Sequence, residues 1–184
     1  AHPGIGVSVE VSDTSALVDA LRSRSLDIVW TRWTPSIEAH DFRIDELFAA
    51  PLRIMAHQDH PSGQASSFDA LANDFWTLSP PDSFLGRLVA GGFTNRGWVM
   101  PTQPIITISI AMRLSLLATG RFLTVLPITM SNQPATKAWL RPLPIDLGPE
   151  TGMIALLSLA RRTEPAAMTA FRRFAYATAT LRKS

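Results

Sequence analysis

Apolar residues fall at every second position in Ile5, Val7, Val9 and Val11, the period of a strand with one buried face. Ser12, Asp13 and Thr14 follow, and their side-chain oxygens can hold the free N–H groups at the start of a helix. Leu17, Val18 and Leu21 then form an apolar stripe at helical spacing. Leu26-Asp27-Ile28-Val29-Trp30 predicts a second short strand. Strand, helix and strand within about thirty residues make a βαβ unit, with parallel strands and a right-handed crossover.

The alternation continues. Residues 42–48 and 51–57 predict extended segments, and the polar stretch 58–67 predicts a loop. Phe75-Trp76-Thr77-Leu78-Ser79 reads as a strand stopped by Pro80-Pro81. Asp82 or Ser83 caps a helix carrying Leu85, Leu88, Val89 and Gly92. Residues 105–108 predict a strand, and Ser109 caps a helix with Ile110, Leu114 and Leu117 on one face. Gly120 sits where that helix needs a left-handed C-terminal residue. A strand over 122–127, two late strands over 139–143 and 153–159, and a last helix with Met168, Phe171 and Ala175 in register complete an α/β layered pattern.

Composition narrows the function. In 184 residues, 46% are apolar and 17% charged, which supports a folded core. Cysteine is absent, so disulfides, a thiolate nucleophile and thiolate-bound zinc are excluded, as suits a cytoplasmic protein. The net charge is +2, and the arginines are dispersed apart from pairs such as Arg161-Arg162 and Arg172-Arg173, which read as solvated helix faces. A duplex-binding surface needs a denser basic stripe. No apolar run approaches the ~20 residues of a membrane span, and the N-terminus lacks the basic start and apolar stretch of a signal peptide.

Catalytic patterns are missing as well. There is no Gly-x-Ser-x-Gly elbow, phosphate-binding loop or full dinucleotide fingerprint. His57 and His60 have a spacing that suits a metal, but no third ligand lies nearby and the segment reads as a turn. Asp45-Glu46, and Asp13 with Asp19, read as surface acids. The expectation is a binding module without cofactor or metal, not an enzyme.

Five segments in order carry a resemblance. They are Pro3-Gly4-Ile5-Gly6-Val7-Ser8-Val9 with Leu17, Leu21 and Ser25-Leu26-Asp27-Ile28-Val29; Pro51-Leu52-Arg53-Ile54-Met55-Ala56-His57 with His60-Pro61; Phe68-Asp69-Ala70-Leu71-Ala72 with Phe75-Trp76-Thr77-Leu78; Phe93, Gly97 and Pro101; and Leu117-Ala118-Thr119-Gly120 with Val125-Leu126-Pro127. Together they resemble the effector-binding domain of LysR-type transcription regulators. The resemblance implies two Rossmann-like α/β lobes joined by two crossover strands, as in type 2 periplasmic binding proteins. Lobe I would comprise residues 1–52 and 149–184, and lobe II residues 53–148. The family's first strand, first long helix and winged helix-turn-helix have no counterpart in this chain, so DNA contact is expected only through an N-terminal domain outside it. The implied partners are a small-molecule effector in the interlobe cleft and further copies in a homodimer or tetramer; no membrane is implied. A periplasmic solute-binding protein of a transport system is the alternative on the same fold.

Helix N-termini after strands attract polar and anionic groups, which makes Thr14, Ser83 and Ser109 candidate effector contacts as well as caps. Thr14 also matches a family position that contacts effector. Arg32 matches an arginine that some members use on effector carboxylates, for which a guanidinium fork is well shaped. Trp30, Trp33 and Phe84 flank these positions and can stack on a ring. Thr124 and Pro127 complete the candidates.

Overall fold

The computed structural model describes residues 4–34, 40–148, 153–160 and 163–180. The chain divides into two compact units, Ala1–Ala49 with Gly152–Ser184 and the continuous stretch Ala50–Thr151. Pro3 of the first quoted segment and the Arg161-Arg162 pair lie outside the described residues.

In the first unit, α1 (Thr14–Arg22), β1 (Val29–Trp33), β2 (Phe42–Ala49), β8 (Met153–Leu159) and α4 (Ala166–Thr180) form a three-stranded sheet with two helices. The strand order is β1-β8-β2, antiparallel throughout. β8, from the far end of the sequence, is therefore the centre of the sheet, and Ala155, Leu156 and Leu157 are buried in it. The cap of α1 is Asp13, whose carboxylate accepts from the Ser15 N–H at 3.0 Å; Thr14 is the first helical residue instead.

The βαβ expectation fails here. Residues 5–11 join no ladder, and Val7, Val9 and Val11 are 69%, 81% and 91% exposed. Alternation states which face a strand would bury, but a strand also needs a neighbour to take its N–H and C=O groups. Among the described residues β1 pairs only with β8, and it runs Val29–Trp33 where the pattern placed it at 26–30.

The second unit holds β3 (Leu52–His57), β4 (Phe75–Leu78), α2 (Phe84–Thr94), β5 (Ile105–Ile106), α3 (Ile110–Ala118), β6 (Phe122–Pro127) and β7 (Leu140–Asp146). The sheet order is β5-β4-β6-β3-β7. β4 runs parallel to β5 and β6, whereas β3 is antiparallel to β6 and β7. Both faces are covered, which is why β3 and β6 read as nearly continuous apolar runs. Ile54, Leu123 and Val125 pack with Trp76, Val89 and Phe93 on the α2 side. Met55 and Leu126, one residue along each strand, pack with Leu117 of α3.

Two helix faces differ from the pattern. α3 buries Arg113 and Leu117, leaving Ile110 exposed, and α4 buries Met168, Arg172 and Ala175, leaving Phe171 partly exposed. Arg172 is thus no solvated residue, and Asp45 no surface acid. α4 packs on β2 and brings the Arg172 guanidinium onto the Asp45 carboxylate, with Tyr176 donating to Asp45 at 2.9 Å.

Candidate functional site

The parallel part of the second unit sets its chemistry. From β4 the chain passes through α2 to β5 on one side, then returns through α3 to β6 on the other side of β4. The outgoing connections of β4 and β6 therefore diverge, which makes their carboxyl ends a topological switch point, where open α/β sheets bind ligands. Three segments meet there: residues 79–83 after β4, residues 107–109 after β5, and the end of β6.

Polar groups line these strand ends. Ser83 is the N-cap of α2; its hydroxyl accepts from the Gly86 N–H at 3.0 Å and donates to the Pro80 carbonyl at 2.6 Å. Ser109 is the N-cap of α3, accepting from the Met112 N–H at 3.2 Å, and is exposed. Phe84 is the first residue of α2 and is buried. Thr124 is fully buried in β6, and its hydroxyl donates to the Thr77 carbonyl at 2.6 Å, so it ties β6 to β4 immediately beneath the strand ends.

Arg113 lies at the centre of this arrangement, and no sequence motif marks it. It is 1% exposed. Its Nη2 donates to Ser79 Oγ at 2.6 Å and to the Thr107 carbonyl at 2.8 Å; Nε reaches the same carbonyl at 3.2 Å, and Nη1 reaches the Val125 carbonyl at 3.5 Å. One side chain thus links the segments after β4 and β5 to Val125 within β6. Burial draws its pKa down to about 10, so it stays charged at neutral pH. The available signal was a charged residue four positions before Leu117, on the core side of an apolar helix.

In the first unit, Thr14 Oγ1 lies 2.7 Å from Thr31 Oγ1, which fastens the opening of α1 to β1. Arg32 stands within β1 opposite Ile154 and is 7% exposed, although it lies two residues past the strand that the pattern placed at 26–30. Burial lowers its pKa to about 10. Side chains alternate along a strand, so Thr31 and Arg32 leave opposite faces, and the structure does not bring Thr14 and Arg32 to one face. Trp33 is half-buried and its indole N–H has no hydrogen-bond partner among the described residues, while Trp30 is 40% exposed. His57 ends β3 and His60 lies in the turn after it, with the His60 N–H bonded to the His57 carbonyl.

The sequence matches the family described as LysR substrate binding domain over residues 1–179. A curated relative, the HTH-type transcriptional regulator GbpR of Rhizobium radiobacter, is 26% identical over 117 residues, which is 62% of this chain. The match spans only 39% of that regulator's length. Among solved structures, the regulatory domain of CcmR from Synechocystis PCC6803, in complex with 2-PG, has a TM-score of 0.76 at 20% identity and covers 97% of this chain and 85% of that one. The effector-binding domain of QuiR, in complex with shikimate, has a TM-score of 0.72 at 16% identity and covers 92% and 79%. At these identities the structural likeness establishes the α/β fold of such domains and nothing finer.

Proposed function

The chain belongs to the LysR substrate-binding domain family, and from that premise we propose that it is the effector-sensing domain of a LysR-type transcription regulator, a binding module with no catalytic role. The family match across residues 1–179 carries the reading. Support comes from the second unit, where strand ends, helix openings and hydroxyls meet at a switch point. CcmR's domain was solved with 2-PG and QuiR's with shikimate, which supports a small acidic or polyhydroxylated molecule as effector here. The kinship with GbpR supports a regulator over a periplasmic solute carrier.

Within the first unit the contact residues in this reading are Thr14 and Trp33, on the face of β1 opposite Arg32; within the second they are Ser83, Phe84, Ser109 and Thr124. Thr124 contributes by holding β4 against β6, since its hydroxyl is already bonded. In the full-length regulator, DNA contact belongs to a separate helix-turn-helix element, and the working form is a cytoplasmic homodimer or tetramer. Effector binding shifts the geometry of that assembly; a coupling of about 1–3 kcal/mol is enough for useful regulation.

The test is a thermal-shift screen of this chain with aromatic acids, sugars and sugar acids, followed by calorimetry on each hit. We expect saturable binding of at least one compound. Thr14→Val, which loses one hydroxyl contact worth about 1 kcal/mol of stability, is expected to stay folded and to bind the hit more weakly. A screen with no saturable ligand ends the proposal.

A further inference from the structure

We propose that the flank of α2 carries a second ligand site, which takes a small branched alkyl group. It shares none of the contact residues given above and does not depend on that reading. A cavity of about 90 Å³ opens there, walled by Leu52 at the start of β3, by Arg87, Leu88, Gly91 and Gly92 of α2, and by Leu147 just past β7. All of these residues belong to the second unit. Size selects the guest. An apolar cavity of about 150 Å³ accepts benzene. At about 90 Å³ the space equals the share of roughly three waters in the liquid, which suits an isopropyl or isobutyl group and not an aromatic ring.

Gly91 is what leaves the cavity open. A glycine inside a helix costs stability relative to alanine, and the other described glycines of the second unit have a reason for it. A β-carbon at Gly63, Gly86 or Gly92 would press on a backbone oxygen, and Gly97, Gly120 and Gly148 have positive φ. Gly91 has neither reason: a β-carbon there would meet nothing within 4 Å, and its backbone is that of α2. The space it keeps free is the space between Leu52, Leu88 and Leu147. Arg87 is exposed and its guanidinium donates to the Asp82 carbonyl, so it offers the cavity its methylene stem. A water needs about two to four polar partners, which these walls do not supply, whereas alkyl carbons gain dispersion contacts and leave water. The position gives the site a use. Leu52 follows Ala50, where the chain enters the second unit, by two positions, and Leu147 precedes Thr151, where it leaves, by four. A guest touching both braces the two chain crossings against α2.

The experiment is a titration of this chain with 2-methylpropan-1-ol, followed by the 13C–1H methyl resonances of Leu52, Leu88 and Leu147, with benzyl alcohol as the larger comparison. We expect saturable shifts at those methyls, slower hydrogen exchange at the Gly148 amide, and binding of benzyl alcohol weaker by about tenfold or more. Gly91→Val, which puts a branched side chain into the space, should weaken 2-methylpropan-1-ol about tenfold or more, with Gly91→Ala in between. A non-saturating drift of methyls throughout the chain overturns the proposal, as does a folded Gly91→Val protein that binds like the wild type. If Gly91→Val does not fold, Gly91→Ala decides, and unchanged affinity there is the overturning result. Equal affinity for the two alcohols would refute the assignment by size. Saturable shifts with unchanged exchange at Gly148 would refute the bracing of the crossings. The same methyl shifts on raising the protein concentration, without alcohol, would mean that a side chain of a second copy fills the cavity, and the small-molecule site falls.

Discussion

Gly86 lies where the turn after β4 folds back over the first turn of α2. A β-carbon there would stand 1.9 Å from the Pro80 carbonyl oxygen, a backbone atom that Ser83 already binds through both its N–H and its hydroxyl. Only glycine permits this approach. Gly86→Ala is expected to destabilise the protein by about 1–3 kcal/mol, as overpacking typically does. Gly91, five residues along the same helix, meets nothing within 4 Å, so Gly91→Ala should stabilise by about 0.5–1 kcal/mol through helix propensity. Urea unfolding of the two variants checks both signs; equal effects would show that the tight turn is not what Gly86 serves. Because Gly86 sits between Ser83 and the strand end, the same variant should also weaken any ligand bound at the α2 opening.

Among the elements, α4 owes its position to ionic and polar bonds as much as to apolar burial. Arg172 is bonded to Asp45 of β2, to Glu164 at 2.9 Å and to Ser158 of β8 at 3.0 Å, and Arg43 reaches Glu164 at 3.0 Å. Removing one partner of a buried pair leaves the other charge desolvated, at a cost of about 3–5 kcal/mol. Arg172→Met should therefore lose about 3 kcal/mol, since Arg43 and Tyr176 still bond Asp45. The double change with Asp45→Leu should recover much of the loss, because an apolar pair in the same space carries no desolvation penalty. Chemical denaturation of the single and double variants measures this. A double variant no more stable than the single one would contradict the account.

At the scale of the whole molecule, the two units differ in continuity. The second is built from one stretch, Ala50–Thr151, and contains all five strands of its sheet and the two apolar clusters described above. The first needs both ends of the chain, since its central strand β8 comes from residues 153–159. A fragment of residues 50–151 is expected to unfold cooperatively on its own, whereas residues 1–49 alone should lack stable structure. Circular dichroism with thermal melts tests both. A cooperative melt from residues 1–49 would mean that α1 and β1 hold together without β8.

What the sequence by itself determined is local in physical origin. The caps Ser83 and Ser109 were legible because each bonds an N–H three residues on. Gly120 was legible because its left-handed backbone, φ +74°, ends the helix beside it, and the apolar runs of β3 and β6 marked strands covered on both faces. What only the tertiary structure decided involves partners distant along the chain. Alternation at residues 5–11 could not reveal that no ladder receives them, nor could the residues around Thr31 announce that β8 would set the position of β1. The burial of Arg113 has the same origin. Arg113 finds Ser79 across 34 positions and Val125 across 12, and a guanidinium becomes a buried, unneutralised charge only when folding closes those distances and removes the water.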